Sequence, residues 1–127
     1  MSKQIIQSNK VPAPIGPYSQ AVIANGFLFA SGQIAFDPAT GELVLSSIEA
    51  ETTQVMENIK AILDEANINF ENIVKTSIFL SSMDLFAAVN QVYGSYFNAD
   101  FPARETVAVK GLPRNVNVEI SITAIIK

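Results

Sequence analysis

Apolar residues recur along this chain in two rhythms. Ile48, Val55, Met56, Ile59, Ile62, Leu63 and Ala66 fall at helical spacing, which gathers them on one face of an α-helix. Ser46 and Glu49 form a capping-box signature at its start, and Asn67 is a stop signal at its end. A second helical stretch places Phe86, Val89, Val92, Tyr93, Tyr96 and Phe97 on one apolar side, with Ser82 or Asp84 as its cap. Elsewhere the rhythm is that of strands. Residues 19–24 and 27–31 flank Asn25-Gly26, a dipeptide that supplies the two positive φ angles of a type I′ hairpin. Asp37-Pro38-Ala39-Thr40-Gly41 marks a further turn. Residues 72–81 are rich in β-branched and aromatic side chains, and residues 105–109 and 116–126 complete the strands. The order is strands, helix, strand, helix, strands. Its simplest packing is an α+β layer, a mixed sheet with both helices on one face. There is no internal repeat and no low-complexity segment.

Alternation assigns side chains to faces. In the last strand Val116, Val118, Ile120, Ile122, Ala124 and Ile126 point one way, toward the helices, while Asn117, Glu119, Ser121 and Thr123 point the other. Before it the chain reads Phe101-Pro102-Ala103-Arg104-Glu105-Thr106-Val107. Pro102 cannot donate to a sheet ladder and favours a strand start, so Arg104 stands where a loop becomes a strand. A guanidinium fixed there offers a planar fork that matches a carboxylate; an ordinary solvated arginine is the competing reading. Arg104 and Thr106 share a face. With Glu119 they are expected to line one polar cleft on the side away from the helices.

Composition narrows the chemistry. The 127 residues hold no linker-like stretch, so residues 1–127 read as a single domain with one core. Charged residues make up only 16% of the chain, against roughly 25% in soluble proteins, which points to surface covered in an oligomer. No apolar stretch is long enough to span a bilayer, and the start, Met1-Ser2-Lys3-Gln4-Ile5, lacks the apolar segment of a signal peptide; a cytoplasmic location is expected. The chain has no Cys and no His. That removes thiolate nucleophiles, Cys- or His-based metal sites and the commonest neutral-pH acid–base group, and no Asp/Glu cluster is spaced for a metal. The net charge of −4 argues against a nucleic-acid partner.

Several segments together resemble the Rid (reactive intermediate deaminase) family, and within it the RidA-like 2-iminobutanoate/2-iminopropanoate deaminases. They are Ile15-Gly16-Pro17-Tyr18-Ser19-Gln20, Ala30-Ser31-Gly32-Gln33-Ile34, Asp37-Pro38-Ala39-Thr40-Gly41-Glu42, Asn58-Ile59-Lys60-Ala61-Ile62 and Ile73-Val74-Lys75-Thr76, followed by Phe86-Ala87-Ala88-Val89-Asn90, Phe101-Pro102-Ala103-Arg104, Leu112-Pro113 and Val118-Glu119-Ile120. Each piece alone is weak; the ordered set covers essentially the whole chain. The resemblance implies a chorismate-mutase-like fold, a homotrimer with clefts between subunits, and cofactor-free hydrolysis of enamines and imines to 2-keto acids and ammonia. By the same resemblance Arg104 matches the arginine that holds the substrate carboxylate and Glu119 the glutamate associated with the attacking water. Tyr18, Ser31, Gly32 and Asn90 match other cleft-lining positions.

This chemistry suits the side chains present. A protonated imine is already electrophilic, so an anchored carboxylate and one aimed water are sufficient, and a carboxylate can act as the base. Burial would raise the pKa of Glu119 and the charge of Arg104 would oppose the rise. One position departs from the family pattern: Thr106 stands where many RidA-type deaminases carry a cysteine. Its hydroxyl still donates and accepts, in contact with substrate or water. Two other functions compete, a non-catalytic regulatory trimer that binds 2-keto acids, and a ribonuclease or translation inhibitor, against which the acidic balance and the lack of His both count.

Overall fold

The computed structural model describes residues 2–126, so the N-terminal Met1 of the leader reading lies outside them. One sheet organises the chain. Its strands are β1 (Gln4–Ile6), β2 (Ala21–Ala24), β3 (Phe27–Gln33), β4 (Ile73–Leu80), β5 (Ala103–Ala108) and β6 (Val118–Ile125), and the helices are α1 (Ile48–Glu65) and α2 (Phe86–Gly94). The spatial order is β1-β2-β3-β6-β4-β5, antiparallel throughout except for β4 and β5. Parallel neighbours need a crossover, and α2 provides it. The α+β architecture is the expected one.

Local chemistry explains most boundaries. Asn25 and Gly26 take φ of 54° and 82°, as the tight β2–β3 hairpin requires. Asn67 adopts φ 60° just beyond α1, a conformation that Asn tolerates and that ends the helix. The start of α1 differs from expectation by one residue. Ser47 is the cap, its Oγ accepting the Ala50 N–H at 3.0 Å; the third helical position is then Ala50, and the Ser46–Glu49 box does not form. Before α2, Ser82 caps a 3₁₀ turn over Met83–Leu85 and accepts from the backbone of Asp84. β1 was not anticipated, because three residues at a sheet edge are too few to show alternation.

The core lies between the helices and one face of the sheet. Leu28, Val55, Met56, Ile59, Ile62, Leu63, Ile78, Leu80, Val118, Ile120 and Ala124 are all buried there. The β6 alternation is as expected, with Val118, Ile120, Ile122 and Ala124 inside. β4 changes parity: Ile73 and Thr76 are both buried, although three residues apart, because the β4–β6 register shifts between Ile73 and Lys75.

Among the described residues, no helix or strand covers the opposite face. Ile5, Val22, Phe27, Phe29, Val107 and Phe79 lie on it with Ser121, Thr123 and Glu119. Phe29 and Val107 are 46% and 44% exposed, which is unusual for large apolar side chains sharing one surface.

The sheet corrects one expectation. Arg104 pairs with Thr76 and Thr106 with Ile78, and partners across a ladder share a face. Thr76 and Ile78 are buried under the helices, so Arg104 and Thr106 lie on the helix side of the sheet. Glu119 pairs with Phe79 and lies on the other. The three do not form one cleft within the chain.

Candidate functional site

The expected residues fall into two separate groups. The first is built on β5 and α2. Pro102 ends the approach to the edge strand, and Arg104 projects from it over the face of α2 that carries Phe86, Asn90 and Tyr93. Its Nη1 donates to Asn90 Oδ1 at 2.6 Å. The guanidinium lies over the rings of Phe86 and Tyr93, with centroids 5.5 and 5.3 Å away. A cation held over two aromatic faces and steered by one amide is fixed in plane and direction. Tyr93 is anchored in turn by a 2.9 Å hydrogen bond with Thr76 Oγ1. Burial pushes its hydroxyl pKa up, with Thr76 and the nearby Arg104 charge pulling the other way. Asn90, Tyr93, Gly94, Phe101, Pro102 and Arg104 line an open cavity of about 340 Å³. One guanidinium N–H is used on Asn90, and the remaining donors of the fork are open to a ligand.

Thr106 does not line that cavity. Its Oγ1 is buried and has no hydrogen-bond partner among the described residues. A buried hydroxyl without a partner is costly, so this position is poised to accept one.

The second group is on the opposite face. Glu119 projects from β6 across the bulge in β3, and its carboxylate lies against Gly32 so closely that a Cβ there would overlap it. This is a demand for space, and glycine meets it. Glu119 is half-buried, and burial alone raises its carboxyl pKa above the usual carboxylate range. The expected opposition from Arg104 is absent, as its place on the other side of the sheet requires. Tyr18, Gly32, Ile34, Phe36, Arg114 and Glu119 are among the residues around a cavity of about 520 Å³. Tyr18 also borders an adjoining groove that contains Ser31. Ser31 holds the approach segment: its Oγ donates to the Ser19 carbonyl at 2.6 Å and its N–H to the Gln20 carbonyl at 2.8 Å. Gln20 is buried and ties the N-terminal segment down through Ser8 and Pro12.

The structure therefore brings Arg104 to Asn90, and brings Tyr18, Gly32 and Glu119 together, with Ser31 beside them. Four contributors carry roles that the sequence reading does not assign. Phe86 and Tyr93 were singled out as core-facing, yet they also form the bed of Arg104. Glu51 is a buried carboxylate on α1 that accepts from the N–H groups of Asn117 and Val118 and from Asn117 Nδ2, at 2.8, 3.2 and 2.9 Å. Its position on the apolar stripe between Ile48 and Val55 was the available signal. Arg114 carried no signal at all. No group of three metal-ligating side chains occurs among the described residues, and no described helix is long and apolar enough to cross a membrane.

Known proteins are similar to this chain in sequence and fold. The family model for endoribonuclease L-PSP matches residues 8–126. A RutC family protein of Synechocystis is 49% identical, covering 99% of this chain and 98% of its own. The goat 2-iminobutanoate/2-iminopropanoate deaminase is 43% identical over 97% of this chain and 90% of its own. The crystal structure of a conserved Rid family protein from Yersinia pestis superposes with a TM-score of 0.95 at 46% identity, covering 98% of this chain and 99% of that one. The family model and these relatives each match nearly the whole chain: it belongs to the Rid family.

Proposed function

We propose that this protein hydrolyses short 2-imino acids, of the 2-iminobutanoate and 2-iminopropanoate type, to 2-keto acids and ammonia. The observation that carries this reading is the pair of half-sites: an immobilised arginine fork with free donors, and a half-buried carboxylate with a raised pKa. The name of the goat relative supports the same substrate class.

The open sheet face supports assembly. Half-sites on opposite faces of one sheet meet only between copies of the chain, and the exposed apolar face gives the copies a reason to associate. In a homotrimer, Arg104 of one subunit holds the substrate carboxylate, oriented by Asn90, Phe86 and Tyr93. Glu119 of the next takes a proton from water as its oxygen bonds to the imine carbon, and the C=N double bond becomes single. The nitrogen of the resulting carbinolamine is protonated, the C–N bond breaks, ammonia leaves, and loss of the hydroxyl proton completes the ketone. One water is consumed and no redox change occurs. Tyr18, Ser31 and Gly32 shape the water-side wall. No cofactor is needed, because the iminium carbon is already electrophilic and positioning supplies the rest.

A coupled assay tests this. A threonine dehydratase generates the imine, and release of 2-ketobutanoate is followed with and without the protein. Acceleration is expected. Tight binding of 2-ketobutanoate with no acceleration would reassign the protein as a keto-acid-binding regulator.

A further inference from the structure

Arg114 places a guanidinium of its own in the Glu119 cavity, apart from the Arg104 anchor on the other face of the sheet. It sits in a short turn after Pro113, where Arg114 and Asn115 take φ of 58° and 56° in succession. Two consecutive non-glycine residues in the left-handed region are uncommon, and such strain gathers where a side chain must be aimed. The guanidinium lies 5.1 Å from the Phe36 ring centroid. Among the described residues it makes no ion pair and no side-chain hydrogen bond, in contrast to Lys60 and Lys75, which face Asp64 and Glu105. The cavity of about 520 Å³ thus has a carboxylate, Glu119, and a stacked, unpaired guanidinium, Arg114, with the apolar Ile34, Phe36 and Pro113 also on its walls.

We propose that Arg114 extends the substrate range to 2-imino acids carrying a second carboxylate at the far end of a short side chain. The inference rests on the deaminase reading above. The stacked fork matches a carboxylate through parallel hydrogen bonds, and the apolar wall suits the intervening methylenes. Glu119 repels a second anion placed beside it, so the charge must lie at the distal end, where Arg114 neutralises it.

The test compares two imines in the wild type, Arg114→Asn and Arg114→Lys. One is the short neutral imine from threonine dehydratase. The other is 2-iminoglutarate, released by a glutamate oxidase with catalase present and followed by competition with a semicarbazide trap. Asn tolerates the left-handed backbone, so the first variant removes charge without adding strain. The ratio of kcat/KM for 2-iminoglutarate to that for the neutral imine should fall at least tenfold in Arg114→Asn and recover partly in Arg114→Lys. An unchanged ratio, or a wild type that turns over only the neutral imine, overturns the inference and leaves the deaminase reading intact. A wild type inactive on both overturns that reading instead. Calorimetric binding then decides on Arg114 without turnover: 2-ketoglutarate should bind more tightly than 2-ketobutanoate, with the preference lost in Arg114→Asn. Equal affinities, or displacement by inorganic phosphate as effective as by 2-ketoglutarate, also overturn the inference.

Discussion

A carboxylate anchor must hold its donors still before the ligand arrives, and Arg104 meets that condition through Asn90 and two aromatic rings. Arg104→Ala removes a charge-assisted bidentate contact worth about 1.5–3 kcal/mol, so kcat/KM should fall about 10- to 100-fold. Arg104→Lys should recover only part, since an ammonium has no fork and stacks poorly; steady-state kinetics on the folded variants checks both. Glu119 has the opposite logic, because its charge is disfavoured by burial. A base must be ionised to work, so kcat should rise with pH through the raised pKa and be lost in Glu119→Gln. Stability runs the other way. A carboxyl whose folded pKa is raised favours the folded state while it is protonated, and that contribution disappears as pH climbs through the folded value. Glu119→Gln should therefore melt above the wild type at about pH 8, with the gap closing toward about pH 4. Gly32→Ala should leave the fold intact, because a flexible carboxylate end can move aside. The displaced carboxylate should cost about 100-fold in kcat/KM, the usual penalty for a reacting group about 1 Å out of place.

Among the elements, β6 is held at the site by α1. The Glu51 carboxylate takes three N–H donors at the strand's entry, two residues before Glu119. Asn117 is further fixed by Ser81, which donates both its N–H and its Oγ–H to it. Glu51→Ala would leave buried donors unsatisfied, and a loss of about 3 kcal/mol is expected, read as a lower urea midpoint. The bulge in β3 has the complementary task of opening the strand so that Gly32 can pass beneath the Glu119 carboxylate.

On the scale of the whole molecule, the decisive fact is that Arg104 and Glu119 lie on opposite faces of one sheet. Three chains of 13.7 kDa make about 41 kDa, the mass expected from light scattering during size-exclusion chromatography. If neighbouring copies complete each other's sites, Arg104→Ala and Glu119→Gln chains, each impaired alone, should regain activity when unfolded and refolded together. Mixed assemblies contain subunit pairs in which an intact Arg104 meets an intact Glu119. Failure to complement, or a fully active 13.7 kDa species, would defeat the shared-site reading.

Features that depend on neighbours along the chain are legible without any fold. The α1 stripe, the Asn25-Gly26 turn, the Asn67 stop and the β6 alternation all follow from local periodicity and backbone preference. The ordered motifs also named Arg104 and Glu119. Tertiary structure alone decided where those residues stand. Alternation shows that Arg104 and Thr106 share a face, but which face depends on the pairing of β5. That strand docks parallel to β4 through the α2 crossover, with Thr76 opposite Arg104, and so turns the guanidinium toward the helices. Register is a long-range choice set by packing, and a shift of one residue sends every side chain of a strand to the other face.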